Sequence, residues 1–290
     1  VGTLSPHVRE YLRGRVARAE ISRQTATDLS YCLAGLTQSF GNRPLTQFGP
    51  KAIDRWLESI GDRAPATRRE YLSRVRTFCN WLATEGHILA NPTGHVPTIR
   101  QPRQVPRTLT EAEVAVLIAA CPDDRARAIV WLMVGCGLRC VEVSRLDIHH
   151  YDPATRTLIA TGKALHERSI PVPAEVAQAV DTYLDKAGRP GGPLLRTQAG
   201  HRMAAKTISS YVRRWMRDAG IKTAPLDGRS AHGLRRTAAS DVMDRCGDIQ
   251  VVQEMLGHVR VETTARAYLR PVPIHKMRRA MEGRTYNGAA

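Results

Sequence analysis

Lysine is scarce in this chain: of the 43 basic residues among 290, six are lysine and the rest arginine. Both side chains serve as phosphate ligands, so the skew fits a GC-rich genome better than a chemical need, and it makes each lysine worth inspecting. Long hydrophobic runs are also missing. The longest, Ala128–Leu138, is 11 residues between Arg127 and Arg139, against the roughly 20 that span a bilayer. No charged-then-apolar leader opens the sequence, which leads us to expect a soluble cytoplasmic protein with reduced thiols and no membrane partner. The six cysteines (Cys32, Cys79, Cys121, Cys136, Cys140 and Cys246) contain no Cys-x-x-Cys pair, and Cys136/Cys140 has no histidine at finger-like spacing. A structural zinc is therefore not expected. Internal repeats and low-complexity tracts are absent as well.

What the chain has in abundance is positive charge, +16 with a pI near 10.2. Such a surface seeks polyanions, nucleic acid first among them. The excess is not a basic tail: residues 1–100 carry 14 basic and 8 acidic side chains, and the remainder is also basic. Both halves are expected to face the same polyanion.

The length suits two unequal domains. From Val8 to Leu82 apolar residues recur at helical spacing, as in Leu29, Cys32, Leu33, Leu36 and Phe40, and again in Tyr71, Leu72, Val75, Phe78, Cys79 and Leu82. With breaks at Gly41–Pro44 and Gly61–Pro65, this predicts a bundle of about four helices over residues 1–96. Residues 97–108 lose periodicity and form a Pro-rich basic linker carrying Arg100, Arg103 and Arg107 as candidate DNA contacts. Residues 109–290 read as a larger α+β domain. Thr110-Glu-Ala-Glu opens a helix, a nearly all-apolar helix covers Arg125–Val134, and Thr157–Ala160 and Arg168–Val172 are short β-branched strands flanking Gly162-Lys163. Helices resume at 174–187, 205–219, 231–245, 248–256 and 263–269. The fold class expected is mainly α with a small β-hairpin or three-stranded sheet.

Opening a DNA strand without metal takes a nucleophile, cations for the non-bridging phosphate oxygens and a proton donor for the leaving 5′ oxygen. Gly135-Cys-Gly137-Leu-Arg139-Cys-Val-Glu142 places Arg139 after two glycines that end a buried helix, with Glu142 three residues on to orient it. His232-Gly-Leu-Arg235 puts two phosphate-directed groups on one face, near a helix N-terminus favourable to anions. Leu256-Gly-His258 follows, and Tyr268 comes ten residues after that histidine. Singly, each has a plainer reading: a core tyrosine, a loop histidine, a helix ion pair, a solvated hairpin lysine.

Jointly, these motifs resemble the tyrosine recombinases, or phage integrases. The likeness covers most of Thr110–Pro271, through Gly-Leu-Arg139-x-x-Glu142, Thr-Gly-Lys163, His232-x-Leu-Arg235, Leu-Gly-His258, and Thr263-Thr264 before Tyr268. The resemblance implies that Arg139 and Arg235 clamp the scissile phosphate, Lys163 protonates the 5′ oxygen and His232 assists proton transfer at Tyr268. It further implies that His258 contacts the phosphate and Glu142 supports the site. Three positions depart from the usual pattern: Ala164 where glycine is common, His166 where lysine is, and Arg236 where histidine often stands.

On this resemblance the helical bundle is a core-site DNA-binding domain, and residues 109–290 are the catalytic domain, ending in a helix exchanged between protomers. The sequence starts almost directly with the bundle, so a simple type without an arm-binding domain is expected. The activity implied is cleavage and rejoining of DNA through a 3′-phosphotyrosine, without metal or ATP, to integrate a phage or mobile element into a bacterial chromosome. Partners would be double-stranded core attachment sites, a homotetramer on synapsed DNA in the nucleoid, a directionality factor, and a host protease reading Ala289-Ala290. A non-catalytic DNA-binding regulator and a DNA-relaxing topoisomerase-like enzyme remain the alternative readings.

Overall fold

The computed structural model describes residues 2–99, 107–162, 167–188, 191–224 and 227–257. The chain divides into two compact units, Val1–Gln104 and Val105–Ala290.

In the first unit four helices pack around one core: α1 (Leu4–Ala17), α2 (Arg23–Phe40), α3 (Pro50–Ser59) and α4 (Pro65–Thr84). Their starts follow from local chemistry. The Ser22 hydroxyl accepts from the Thr25 backbone N–H at the head of α2, and Pro50 and Pro65 sit in the first turns of α3 and α4, where no intrahelical N–H is needed. Gly41, at φ 70°, ends α2 in a conformation that side chains resist. Leu33, Leu36, Phe40, Ile53, Trp56, Val75, Phe78 and Leu82 fill the centre.

The second unit contains α5 (Glu111–Ala119), α6 (Asp124–Val134), α7 (Cys140–Arg145), strands β1 (Tyr151–Asp152), β2 (Thr157–Thr161) and β3 (Glu167–Pro171), then α8 (Ala174–Ala187), α9 (Ala205–Asp218), α10 (Ala231–Cys246) and α11 (Ile249–Leu256). Thr110 and Glu113 form the reciprocal cap that their spacing predicts. The side chain of α6 is buried at Ala126, Ala128–Val130 and Leu132–Val134, making it the unit's central helix. The three strands form an antiparallel sheet in sequence order. Its register pairs Leu158 with Ile170 and Ala160 with Arg168, so Arg168 shares the inward face with buried Ile170.

The architecture is thus the mainly helical one, with a three-stranded sheet, that periodicity predicts. Strand ends differ by one residue from the expectation, β2 reaching Thr161 and β3 spanning Glu167–Pro171, and β1 and the short α7 are additions. Expected helices over 263–269 and beyond Pro273 lie outside the described residues. No described helix is long and apolar enough to cross a membrane.

Candidate active site

The site is assembled where α6 ends. Gly135 leaves room that a β-carbon would deny: one built there would lie 2.3 Å from a Val176 methyl. Gly137 takes φ 63° and turns the chain against Met255, Leu256 and Ala238. The two glycines therefore hold α6 tightly to α8, α10 and α11 and deliver Arg139 at the start of α7.

Glu142, one turn later, is fully buried and is the centre of the arrangement. Its carboxylate accepts from the Arg139 backbone N–H at 2.8 Å and from the Arg139 guanidinium at 2.9 Å. Arg168, from β3, donates through both terminal nitrogens at 3.0 Å. Arg235, from α10, donates at 3.2 Å. Burial opposes ionisation of Glu142, but the Arg168 and Arg139 hydrogen bonds and the charges of Arg168 and Arg235 outweigh it and hold the carboxyl below its ordinary range.

The same arginines bind the end of α11. Arg235 donates to the Leu256 carbonyl at 2.6 Å and to the Gly137 carbonyl at 2.6 Å. Arg168 Nε donates to the Met255 carbonyl at 2.8 Å, and Arg139 reaches Leu256 at 3.5 Å. These carbonyls carry the negative end of a helix dipole, which cations stabilise. Gly257 then reverses the chain at φ 61°, with Arg168 so close that an added β-carbon would stand 3.0 Å from its guanidinium.

The two arginines of the sequence motifs are not equivalent. Arg139 keeps 34% of its side chain exposed, whereas Arg235 is 1% exposed. His232, the second residue of α10, is exposed, so the shared face expected for His232 and Arg235 is split between surface and interior. Although the ring keeps an open edge, the protein around it desolvates it, and Arg236, Arg235 and Arg139 repel a proton. All lower the imidazole pKa and keep the ring neutral, able to accept a proton at neutral pH.

Arg168 is the member of this cluster that the sequence motifs do not mark, the sequence placing it only inside a strand. Its signal was alternation: an arginine two residues before Ile170 shares the inward face, and an inward cation needs a carboxylate or carbonyl partner. Arg145 also donates to the Gly162 carbonyl at 3.2 Å, anchoring the end of β2 just before Lys163. Lys163, His258 and Tyr268 lie outside the described residues, as do Arg100 and Arg103. Arg107 is exposed, with its side chain beside Gly228.

The cysteines are free. Burial pushes the thiols of Cys79 and Cys136 up to about 12, which suits packing and not nucleophilic chemistry.

A family model described as the phage integrase family matches residues 107–273. The tyrosine recombinase XerC of Salmonella typhi is 31% identical over 207 residues, covering 69% of this chain and 68% of that protein. XerC of Escherichia coli O9:H4 (strain HS) is 27% identical over 276 residues, 90% of each chain. Among solved structures, a lambda integrase fragment in a dimer bound to a COC′ core site superposes with a TM-score of 0.78 at 18% identity, covering 94% of this chain and 99% of that one. A Tn1549 transposon integrase fragment in complex with circular intermediate DNA gives 0.77 at 18% identity, covering 97% and 100%. These two likenesses establish the fold.

Proposed function

The chain belongs to the phage integrase family and is a tyrosine site-specific recombinase, and on that premise we propose that it inserts a phage or other mobile element into a bacterial chromosome. The observation that carries the strand-transfer chemistry of this reading is the arginine cluster. Among the described contacts, three guanidinium groups share the single carboxylate of Glu142. The surplus positive charge, at a rigid base, suits the non-bridging oxygens of a phosphodiester. Arg139 meets the scissile phosphate with its open edge. Arg235 joins it by exchanging its Leu256 carbonyl contact for a phosphate oxygen, a charged acceptor in place of a neutral one. Glu142 and Arg168 act as positioning residues.

The Tyr268 hydroxyl oxygen forms a bond to phosphorus while the bond from phosphorus to the 5′ oxygen breaks. His232 takes the phenol proton, Lys163 gives a proton to the leaving oxygen, and His258 hydrogen-bonds the phosphate. A phenol with a pKa near 10 needs such help at neutral pH. In the second step a 5′-hydroxyl from another strand attacks the phosphotyrosine and Tyr268 recovers its proton. The phosphodiester energy is kept in the covalent intermediate, so the chemistry calls for neither a metal ion nor ATP.

Residues 1–96 serve as the core-site binding domain and residues 109–290 as the catalytic domain, with Arg100, Arg103 and Arg107 of the linker on the DNA backbone. Both units carry excess positive charge, which supports this division. The active assembly is a homotetramer on synapsed duplexes in the bacterial cytoplasm, with the apolar stripe of Ile274–Met281 docking on a neighbouring protomer. A directionality factor reverses the reaction.

The test is a library of nicked duplexes from candidate attachment regions, incubated in magnesium-free buffer with wild type and with Tyr268→Phe. A covalent adduct on denaturing gels from wild type alone is the expected result. Its absence, with a duplex that gel shift proves to be bound, would leave a non-catalytic regulator as the better reading.

A further inference from the structure

We infer that the N-terminal unit carries a site for a divalent transition metal, zinc foremost, built from His7, Glu10 and His87. His7 and Glu10 lie one turn apart on α1, with His7 Nδ1 3.8 Å from a Glu10 carboxylate oxygen. His87 follows α4, where its backbone N–H donates to the Leu82 carbonyl and fixes the turn. Its ring centroid is 4.3 Å from that of His7, with the planes tilted by 48°. One potential ligand atom from each residue lies within 4.8 Å of the other two. Tetrahedral zinc with bonds near ~2.1 Å holds its ligands about 3.4 Å apart, so small side-chain rotations close the set.

A second observation points the same way. His7 Nδ1 is buried and has no hydrogen-bond partner. Leaving such an atom unsatisfied is unfavourable, and a metal ion would satisfy it. Trp81, itself packed against Tyr11, backs the pair, its ring lying 5.4 Å from that of His87. Glu10, 58% exposed, closes the solvent side, with water in the fourth position. Two imidazoles and one carboxylate favour zinc, nickel or copper over magnesium or calcium. A metal here would tie the first turn of α1 to the end of α4, stapling the N-terminal helix to its bundle.

The other histidine cluster differs in being occupied. Asp147 pairs with Arg202, and His150 Nδ1 accepts from the Asp147 backbone N–H. It serves as the control.

Full-length protein, stripped of metal and freed of chelator, is titrated with Co2+ as spectroscopic probe and Zn2+ by calorimetry. One ion per chain is expected, with visible bands of nitrogen- and oxygen-bound cobalt, no thiolate charge-transfer band, and a raised melting midpoint. His87→Gln and Glu10→Gln should each weaken binding about tenfold or more, while His149→Gln leaves it unchanged. Glu10 is at the surface, so its variant keeps the fold. Absence of cobalt bands in folded wild type, a thiolate band, or unchanged binding in both site variants would overturn the assignment.

Discussion

Arg168 closes both terminal guanidinium nitrogens on the two oxygens of Glu142, each at 3.0 Å. The contact joins β3 to α7 and leaves Nε free to hold the end of α11 through the Met255 carbonyl. One side chain thus fixes three elements that carry or precede site residues. A planar fork fits a carboxylate in this way where a lysine ammonium does not.

Arg168→Lys should therefore keep the charge and lose the geometry. We expect a stability loss of about 1–3 kcal/mol by urea unfolding and a fall in covalent adduct yield when binding to DNA is saturating. An adduct yield equal to wild type would show that Arg168 does not position the site.

Glu142→Gln removes the counter-charge from three arginines, and breaking a buried pair in this way costs about 3–5 kcal/mol. The pH dependence carries a sign. Glu142 titrates lower in the folded chain than its ordinary 4.5, so the unfolded chain binds more protons between the two values. Its stabilisation is present above about 4.5 and is lost as pH falls through the lower folded value. Urea unfolding midpoints of wild type and Glu142→Gln, measured at successive pH values, should therefore draw together as pH falls below that range.

His232 gives a second pH prediction, read in activity. On the role proposed for it, its lowered pKa should place the acid limb of kcat/KM below 6.5, where the ring protonates and stops accepting a proton. Arg236 is one of the charges depressing it, so Arg236→Gln should move that limb upward, toward 6.5, on a nicked substrate. An unmoved limb would mean another group titrates.

Gly257→Ala forces a β-carbon into φ 61° and against Arg168. A left-handed conformation costs a side chain about 1–2 kcal/mol, and the displaced Arg168 adds to it. Thermal unfolding should show the loss, and cleavage should fall with it, because Arg168 and the α11 carbonyls are held together there.

Thr110→Ala is the contrasting case. It removes the cap of α5 and should cost about 0.5–2 kcal/mol in chemical unfolding. Adduct formation by the folded fraction should stay at the wild-type level, since Thr110 has no contact with the arginine cluster among those described.

Local chemistry wrote much of the fold into the sequence. Ser22, Pro50, Pro65 and the Thr110–Glu113 pair mark helix starts by satisfying or omitting first-turn N–H groups. The 3.6-residue recurrence of Leu29, Cys32, Leu33, Leu36 and Phe40 needs no tertiary information to be read as a buried face. The Gly135/Gly137 pair and Arg139–Glu142 were legible for the same reason, their spacing being local. Only the tertiary structure could decide which distant partners meet. It recruited Arg168 to Glu142 across 26 positions, buried Arg235 while leaving Arg139 open, and brought His87 from the end of α4 against His7. Such pairings depend on how helices and a sheet pack, and the packing is set by the summed burial of many apolar side chains and by no single motif.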